Sequence, residues 1–355
     1  MRALVVDPGR PGTARTCELP EPAEAEGTVL VQTLAVGVCG TDREIAAGEY
    51  GQAPDGEPHL VLGHESLGRV LSAPAESGLA EGQHVVAMVR HPDPEPCVNC
   101  AAGQWDLCRN DGYTEHGIKG RHGFARERFR VDADRLVPVD AALGLAGVLL
   151  EPASVVAKAW ELVEHAASRS AYRPRTVLVT GAGPIGLLAA LLGVQRGLEV
   201  HVLDRVQDGP KPELVAALGA TYHATDVAST GVTPDVVIEC TGAPTVVLDA
   251  LSSTAPDGIT CLNGVSTGGR PRPVDVGALN RSLVLQNDVV LGSVNANRRH
   301  YEQAAGALAQ AGTQLLDRLI TRRLPLEAHA DALAGPQDDI KVVLELARTP
   351  VEAVA

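Results

Sequence analysis

Aromatic side chains are scarce in this chain of 355 residues: two Phe, two Trp and five Tyr, 3% in all. A core built on large rings is thereby excluded. The interior must be packed mainly from Ala, Val and Leu, drawn from an apolar fraction of 45% that is ordinary for a globular protein. Also missing is an uninterrupted apolar run of the roughly 18 residues that a membrane span needs, because Gly, Pro or charge breaks each one. The opening "MRALVVDPGR" lacks the apolar stretch and small-residue cleavage site of a secretory signal and reads as a first strand, so a cytoplasmic protein is expected. Positive charge is in deficit. With 30 Lys and Arg against 44 Asp and Glu, the net charge of −14 repels nucleic-acid phosphates and anionic lipid, which leaves a small, neutral substrate as the expected partner.

The seven cysteines are an odd number in a chain without an export signal, so disulfides are a poor explanation for them. Cys97, Cys100 and Cys108 cluster, whereas Cys17, Cys39, Cys240 and Cys261 stand alone. There are 37 glycines, which imply many tight turns and close backbone approaches.

Short apolar runs punctuated by Gly, Pro and acids fill residues 1–150, among them "ALVV", "TVLVQTLAVGV", "SLGRVLS" and "QHVVAMV". They predict an antiparallel, barrel-like domain. Near residue 144 the period changes to a helical one, in "GLAGVLLEPASVVAKAWELVEHAA". From 176 to 204 a buried strand, a glycine turn, a helix and a second strand ending in an acid form a βαβ unit. Further strands at "DVVIECTG", "GITCLNGV" and "VVLGSV" extend it into a parallel, doubly wound sheet over 151–295. Residues 296–355, with a helix around Tyr301–Gln310, are too few for a core of their own and are expected to pack back on the first domain. "PDPEP" and "QDGPKPE" read as loops.

Gly181, Gly183 and Gly186 follow the first strand of the βαβ unit and open its helix, with Pro184 and Ile185 in the same turn. Gly181 permits the turn, Gly183 lets backbone approach a pyrophosphate, and Gly186 allows the helix to lie close to the strand. Asp204 ends the next strand, where a carboxylate accepts from ribose hydroxyls and repels a 2′-phosphate. NAD is therefore expected over NADP, although Arg205 softens the preference.

"GVCGTD" (37–42) and "LGHES" (62–66) offer a thiol, an imidazole and a carboxylate, a donor set suited to zinc with one position left open for chemistry. Cys39 and His64 are the candidate ligands, and the third is Glu65 or Glu151. The second cysteine group, "CVNCAAGQWDLC", has the short loop spacing of a structural zinc site but supplies three thiols. Asp93 is the candidate fourth ligand, with Glu95 and His91 behind it.

In their order and spacing these motifs resemble the zinc-dependent medium-chain alcohol dehydrogenases over nearly the whole chain. Within that family the chain looks most like the archaeal-type glucose dehydrogenases, through "CGTDREI", "DGYTEHGIKGRHGFARE", "LLEPASVVAKAWE" and "LGSVNANRRHYEQA". The resemblance implies a GroES-like β-rich catalytic domain beside an α/β Rossmann domain. It implies catalytic zinc on Cys39 and His64, completed by Glu65 and Glu151, and a proton relay through Thr41. It also implies sugar contacts from Glu115, Glu151 and His300, with Asn295 on the cofactor side. The implied reaction is hydride transfer from a cyclic sugar hydroxyl to NAD(P), foremost from C1 of glucose, by a homodimer or homotetramer. Another polyol, an aminocyclitol or a threonine-like amino alcohol is the alternative substrate. A non-catalytic nucleotide-binding protein is the alternative of another class. Pro94 stands where the family's structural quartet has its first cysteine.

Overall fold

The computed structural model describes residues 1–266, 271–335 and 339–346. The chain divides into two compact units, Met1–Glu151 with Ala296–Ala355, and Pro152–Asn295.

The spine of the first unit is the strand Val29–Val38, in which buried and partly exposed residues alternate before the last four are all buried. That pattern lets one face pack inward along the strand while its end enters the interior. It pairs antiparallel with Glu65–Ser72 along one edge, and with Arg128–Val131 and Lys341–Glu345 along the other. His84–Ala87 and Leu136–Pro138 extend the sheet beyond Glu65–Ser72, and Ile320–Pro325 extends it beyond Lys341–Glu345. Val29, Val31, Phe124 and Phe129 lie in its core, the two Phe rings 4.6 Å apart. Each such side chain, fully buried, contributes about 1.5–3 kcal/mol.

Register in this sheet places chemistry. Glu65 lies opposite Gly37 on one side, and Val342 lies opposite Val38 on the other. The carboxylate and the residue before Val342, Lys341, therefore flank the strand end that leads into Cys39.

The second unit is a six-stranded parallel sheet. Its order is Thr221–His223, Glu199–Leu203, Thr176–Thr180, Val236–Glu239, Ile259–Leu262 and Val289–Gly292, with the first strand in sequence third in space. This is the doubly wound arrangement, whose order reverses beside Thr176–Thr180. Every residue of Val236–Glu239 is buried, as a strand covered on both faces requires.

One local expectation is corrected by the structure. "QDGPKPE" is not all loop, because a helix begins at Pro210 and runs to Ala217. Proline is well suited to a first helical turn, where its missing N–H has no intrahelical partner to lose. The stretch Ala141–Ala167 is long and apolar enough to cross a membrane by length and composition, with 72% of its apolar window buried inside the protein. It consists of a 3-10 segment, Ala141–Leu149, followed by the helix Leu150–Ala167. Glu151 and Lys158 interrupt the run in sequence without interrupting the helix.

Candidate active site and cofactor-binding turn

Cys39 ends the extended backbone and caps the helix Gly40–Ala46, its sulfur accepting from the Thr41 N–H at 3.2 Å. The helix start thus points a backbone donor at the sulfur. Three residues on, Asp42 reaches back. Its Oδ2 accepts from Cys39 N at 3.0 Å, and its Oδ1 accepts from Gly63 N at 3.3 Å and lies 3.5 Å from His64 Nδ1. The buried carboxylate ties both candidate ligand loops together and faces one ring nitrogen of His64. The other nitrogen, Nε2, lies 3.0 Å from Cys39 Sγ. A ligating imidazole held from behind by a carboxylate is the usual way such a ring is oriented.

Cys39, His64 and Glu65 bring their donor atoms within 4.8 Å of one another. Lys341 donates to both Glu65 oxygens at 2.6 Å, and both side chains are nearly inaccessible, at 1% and 2% exposure. The chain also makes room for this carboxylate, since a Cβ on Gly37 would collide with Glu65 Oε2. Burial alone lowers the His64 pKa, yet it is held well above its ordinary value by Cys39 and Asp42. The site therefore favours added positive charge. One thiolate, one imidazole and one carboxylate fit a catalytic zinc, which takes three protein ligands and keeps a fourth position open.

Glu151 lies outside that group of three but within its field. Burial pushes its carboxyl up to about 7, with His64 and Lys341 pulling against the rise and Glu65 and Asp42 adding to it. Glu115 is buried, and its Oε1 accepts from Arg90 Nε at 3.0 Å. Arg90 in turn lies 3.7 Å over the Tyr113 ring. His300 is fully buried in the first turn of the helix Arg298–Ala311, where its Nδ1 accepts from the Asn297 N–H at 3.1 Å. Thr41, partly exposed, follows the thiol by two residues.

The second cysteine group does not fit a closed zinc site. The sulfurs of Cys97, Cys100 and Cys108 lie within 4.8 Å of one another, and among the described residues no fourth Cys, His, Asp or Glu donor joins them. Asp93 Oδ1 accepts from Glu95 N at 2.9 Å, and its carboxylate lies against Gly112. His91 Nε2 is 2.9 Å from His116 Nε2. Pro94 has no donor to offer. Asp93, the expected fourth ligand, is not within 4.8 Å of all three sulfurs.

In the second unit Gly181 has φ +89°, and a Cβ on Gly186 would collide with the Gly181 carbonyl oxygen. Both positions therefore require glycine. Nothing lies within 4 Å of a Cβ at Gly183, so the space above it is open for a ligand to approach. Pro184 begins the helix Pro184–Gln195, followed by Ile185. Asp204 Oδ2 accepts from Ala182 N at 2.7 Å and lies 3.3 Å from Lys211 Nζ, while Oδ1 accepts from Val206 N at 3.1 Å. Burial raises the Asp204 pKa, but these two N–H donors and Lys211 hold it below the ordinary value. Arg205 is exposed, and Asn295 adopts φ +61°, which asparagine tolerates better than most residues. These residues suit a dinucleotide whose pyrophosphate meets the glycine turn.

Lys341, Asp42 and Lys211 carry no signal in the sequence as it stands. Asp42 stands three residues past the thiol with nothing in the sequence to show its partners, and Lys341 is 276 positions from the carboxylate it pairs with.

A GroES-like unit with a Cys–His–carboxylate donor set, joined to a dinucleotide-binding sheet, defines a zinc-dependent medium-chain dehydrogenase. Residues 25–141 match the alcohol dehydrogenase GroES-like domain, and residues 144–346 match the glucose dehydrogenase C-terminus. The glucose 1-dehydrogenase of Thermoproteus tenax is 42% identical over 98% of this chain and 99% of its own, and that of Methanocella arvoryzae is 37% identical over the same shares. The crystal structure of Haloferax mediterranei glucose dehydrogenase in complex with NADP, Zn and gluconolactone superposes with a TM-score of 0.90 at 33% identity, covering 98% of this chain and 100% of that one. The chain belongs to the glucose dehydrogenase family of these zinc enzymes.

Proposed function

We propose that this protein is a glucose 1-dehydrogenase, oxidising the C1 hydroxyl of β-D-glucose to the lactone with NAD(P) as hydride acceptor. The observation that carries the reading is the convergence of Cys39, His64 and Glu65 within 4.8 Å, in a chain that matches glucose dehydrogenases along its length. Held by Cys39, His64 and a carboxylate of Glu65 or Glu151, zinc supplies a Lewis acid for the sugar oxygen, and a bound nicotinamide supplies the hydride acceptor.

The chain's own residues do the rest. Asp42 keeps His64 oriented, and Lys341 fixes the Glu65 carboxylate. Thr41 Oγ1 takes the hydroxyl proton and passes it toward solvent. Glu115, Glu151 and His300 bind the remaining sugar hydroxyls, contacts that a simple alcohol does not make.

NAD is preferred over NADP, because a 2′-phosphate meets the Asp204 carboxylate. Lys211 and Arg205 beside it keep the preference modest. Two copies of the chain associate through the edge strand Val289–Gly292, where Val290 and the nearby Val294 are exposed. The protein works in the cytoplasm, in keeping with its free cysteines.

The test is turnover on glucose, galactose, xylose, cyclitols and threonine with each cofactor. Glucose is expected to give the highest kcat/KM, and absence of activity on every aldose would reject the reading.

A further inference from the structure

The loop carrying Cys97, Cys100 and Cys108 holds three mutually close sulfurs, and among the described residues no fourth donor of a closed metal site joins them. We propose that it is a thiol–disulfide site, oxidised by hydroperoxides, with Cys97 as the attacking thiolate and Cys100 as the resolving thiol.

Cys97 is partly exposed and caps the short helix Val98–Ala101. Its sulfur accepts from the N–H groups of Cys100 at 3.5 Å and Arg109 at 3.4 Å, two dipoles that favour the thiolate. The next residue, Val98, is 69% exposed, so a small oxidant reaches this face. Cys100 lies three residues on, buried behind it. The loop around them is held by Asn99 Nδ2 donating to Leu107 O at 2.7 Å and by Asn110 Nδ2 donating to Glu95 O at 3.0 Å. The thiols are thereby kept close while remaining unbonded.

The chemistry balances without a metal. The Cys97 thiolate attacks one peroxide oxygen, breaking the O–O bond, and the departing hydroxide takes up a proton as water. The Cys100 thiol then attacks the Cys97 sulfenic acid sulfur, its proton passing to the departing hydroxide, which forms the S–S bond and a second water. Two thiols lose two electrons, which the peroxide gains.

Oxidation has a route to the residues that the proposed function assigns to sugar binding, and this part of the inference rests on that assignment. Asp106, two residues before Cys108, accepts from Asn297 Nδ2 at 2.8 Å through Oδ1 and from Arg90 Nη1 at 3.4 Å through its carbonyl. Asn297 N bonds His300, and Arg90 pairs with Glu115. Closing the disulfide draws the Cys97 sulfur toward Cys100 and away from the Arg109 N–H next to Cys108, which loosens this turn and its hold on both.

The experiment treats zinc-loaded enzyme with hydrogen peroxide and reads three quantities: bound zinc, free thiols after denaturation, and the cysteine linkage by peptide mapping. Expected are one zinc per chain before treatment, a fall of two from the seven free thiols, and a Cys97–Cys100 peptide that dithiothreitol reverses. The KM for glucose should rise several-fold and recover with dithiothreitol, and Cys97→Ser should abolish both changes. A second bound zinc, a constant thiol count or a Cys97–Cys108 linkage would overturn the assignment. Disulfide formation without any KM change would overturn the coupling alone. A disulfide formed in a protein that never turns over glucose would support the thiol site and reject the proposed function.

Discussion

Acid should destabilise the first unit through one pair of histidines, and the size of the effect follows from their bonding. His116 Nδ1 donates to the His122 carbonyl at 2.7 Å, which leaves its Nε2 as an acceptor. His91 Nε2, at 2.9 Å, must then carry the hydrogen between the two rings. A proton added to His116 Nε2 would set two N–H groups against each other. Burial pushes His91 down to about 2 and His116 down to about 3, and the nearby Arg121 adds to both shifts. The folded values lie below the ordinary 6.5, so the unfolded chain takes up protons first. Stability from the pair is present above that value and is lost as the pH falls below it. From about pH 7 to about pH 5.5 the loss is about 1.25 kcal/mol per imidazole, or about 2.5 kcal/mol for the pair. Urea unfolding of a Trp160→Phe background, followed through Trp105, reads this unit. His91→Gln should reduce the loss over this range by about 1.25 kcal/mol, and His91→Gln with His116→Gln by about 2.5 kcal/mol. Equal pH slopes in all three proteins would refute the reasoning.

Other consequences are as direct. Gly37→Ala places a methyl group where Glu65 lies, so metal content and glucose turnover should fall at least about tenfold while the circular dichroism spectrum is kept. Lys341→Met strands the buried Glu65 carboxylate and should cost about 3–5 kcal/mol in urea unfolding; adding Glu65→Gln should recover much of it. Lys211→Met removes the cation beside Asp204 and should increase the NAD over NADP ratio of kcat/KM by about fivefold or more, whereas an unchanged ratio would place Lys211 outside cofactor choice.

What was legible in the sequence is what is written contiguously. The glycine turn of 181–186 lies between a strand and a helix, so its meaning survives without coordinates, and the fold class follows from it and the strand repeat. "GVCGTD" and "LGHES" each carry a donor beside a glycine. Their approach, by contrast, depends on sheet register: Glu65 opposite Gly37, with Lys341 brought alongside by a strand near the end of the chain. A five-residue strand such as "KVVLE" has no period long enough to announce its partner. The bonds of Asn297 to Asp106 and of Arg90 to Glu115 were illegible for the same reason, since each joins residues far apart in sequence. The bond of Asp93 Oδ1 to Glu95 N is a local turn, of which the sequence alone shows no sign.

Zinc analysis paired with glucose oxidation before and after chelation tests most directly whether a metal held by Cys39 and His64 is required for turnover. One zinc per chain, activity lost in proportion to zinc removed and regained on its return, and neither zinc nor turnover in Cys39→Ser are the results expected. Undiminished glucose oxidation by protein stripped of zinc would contradict it.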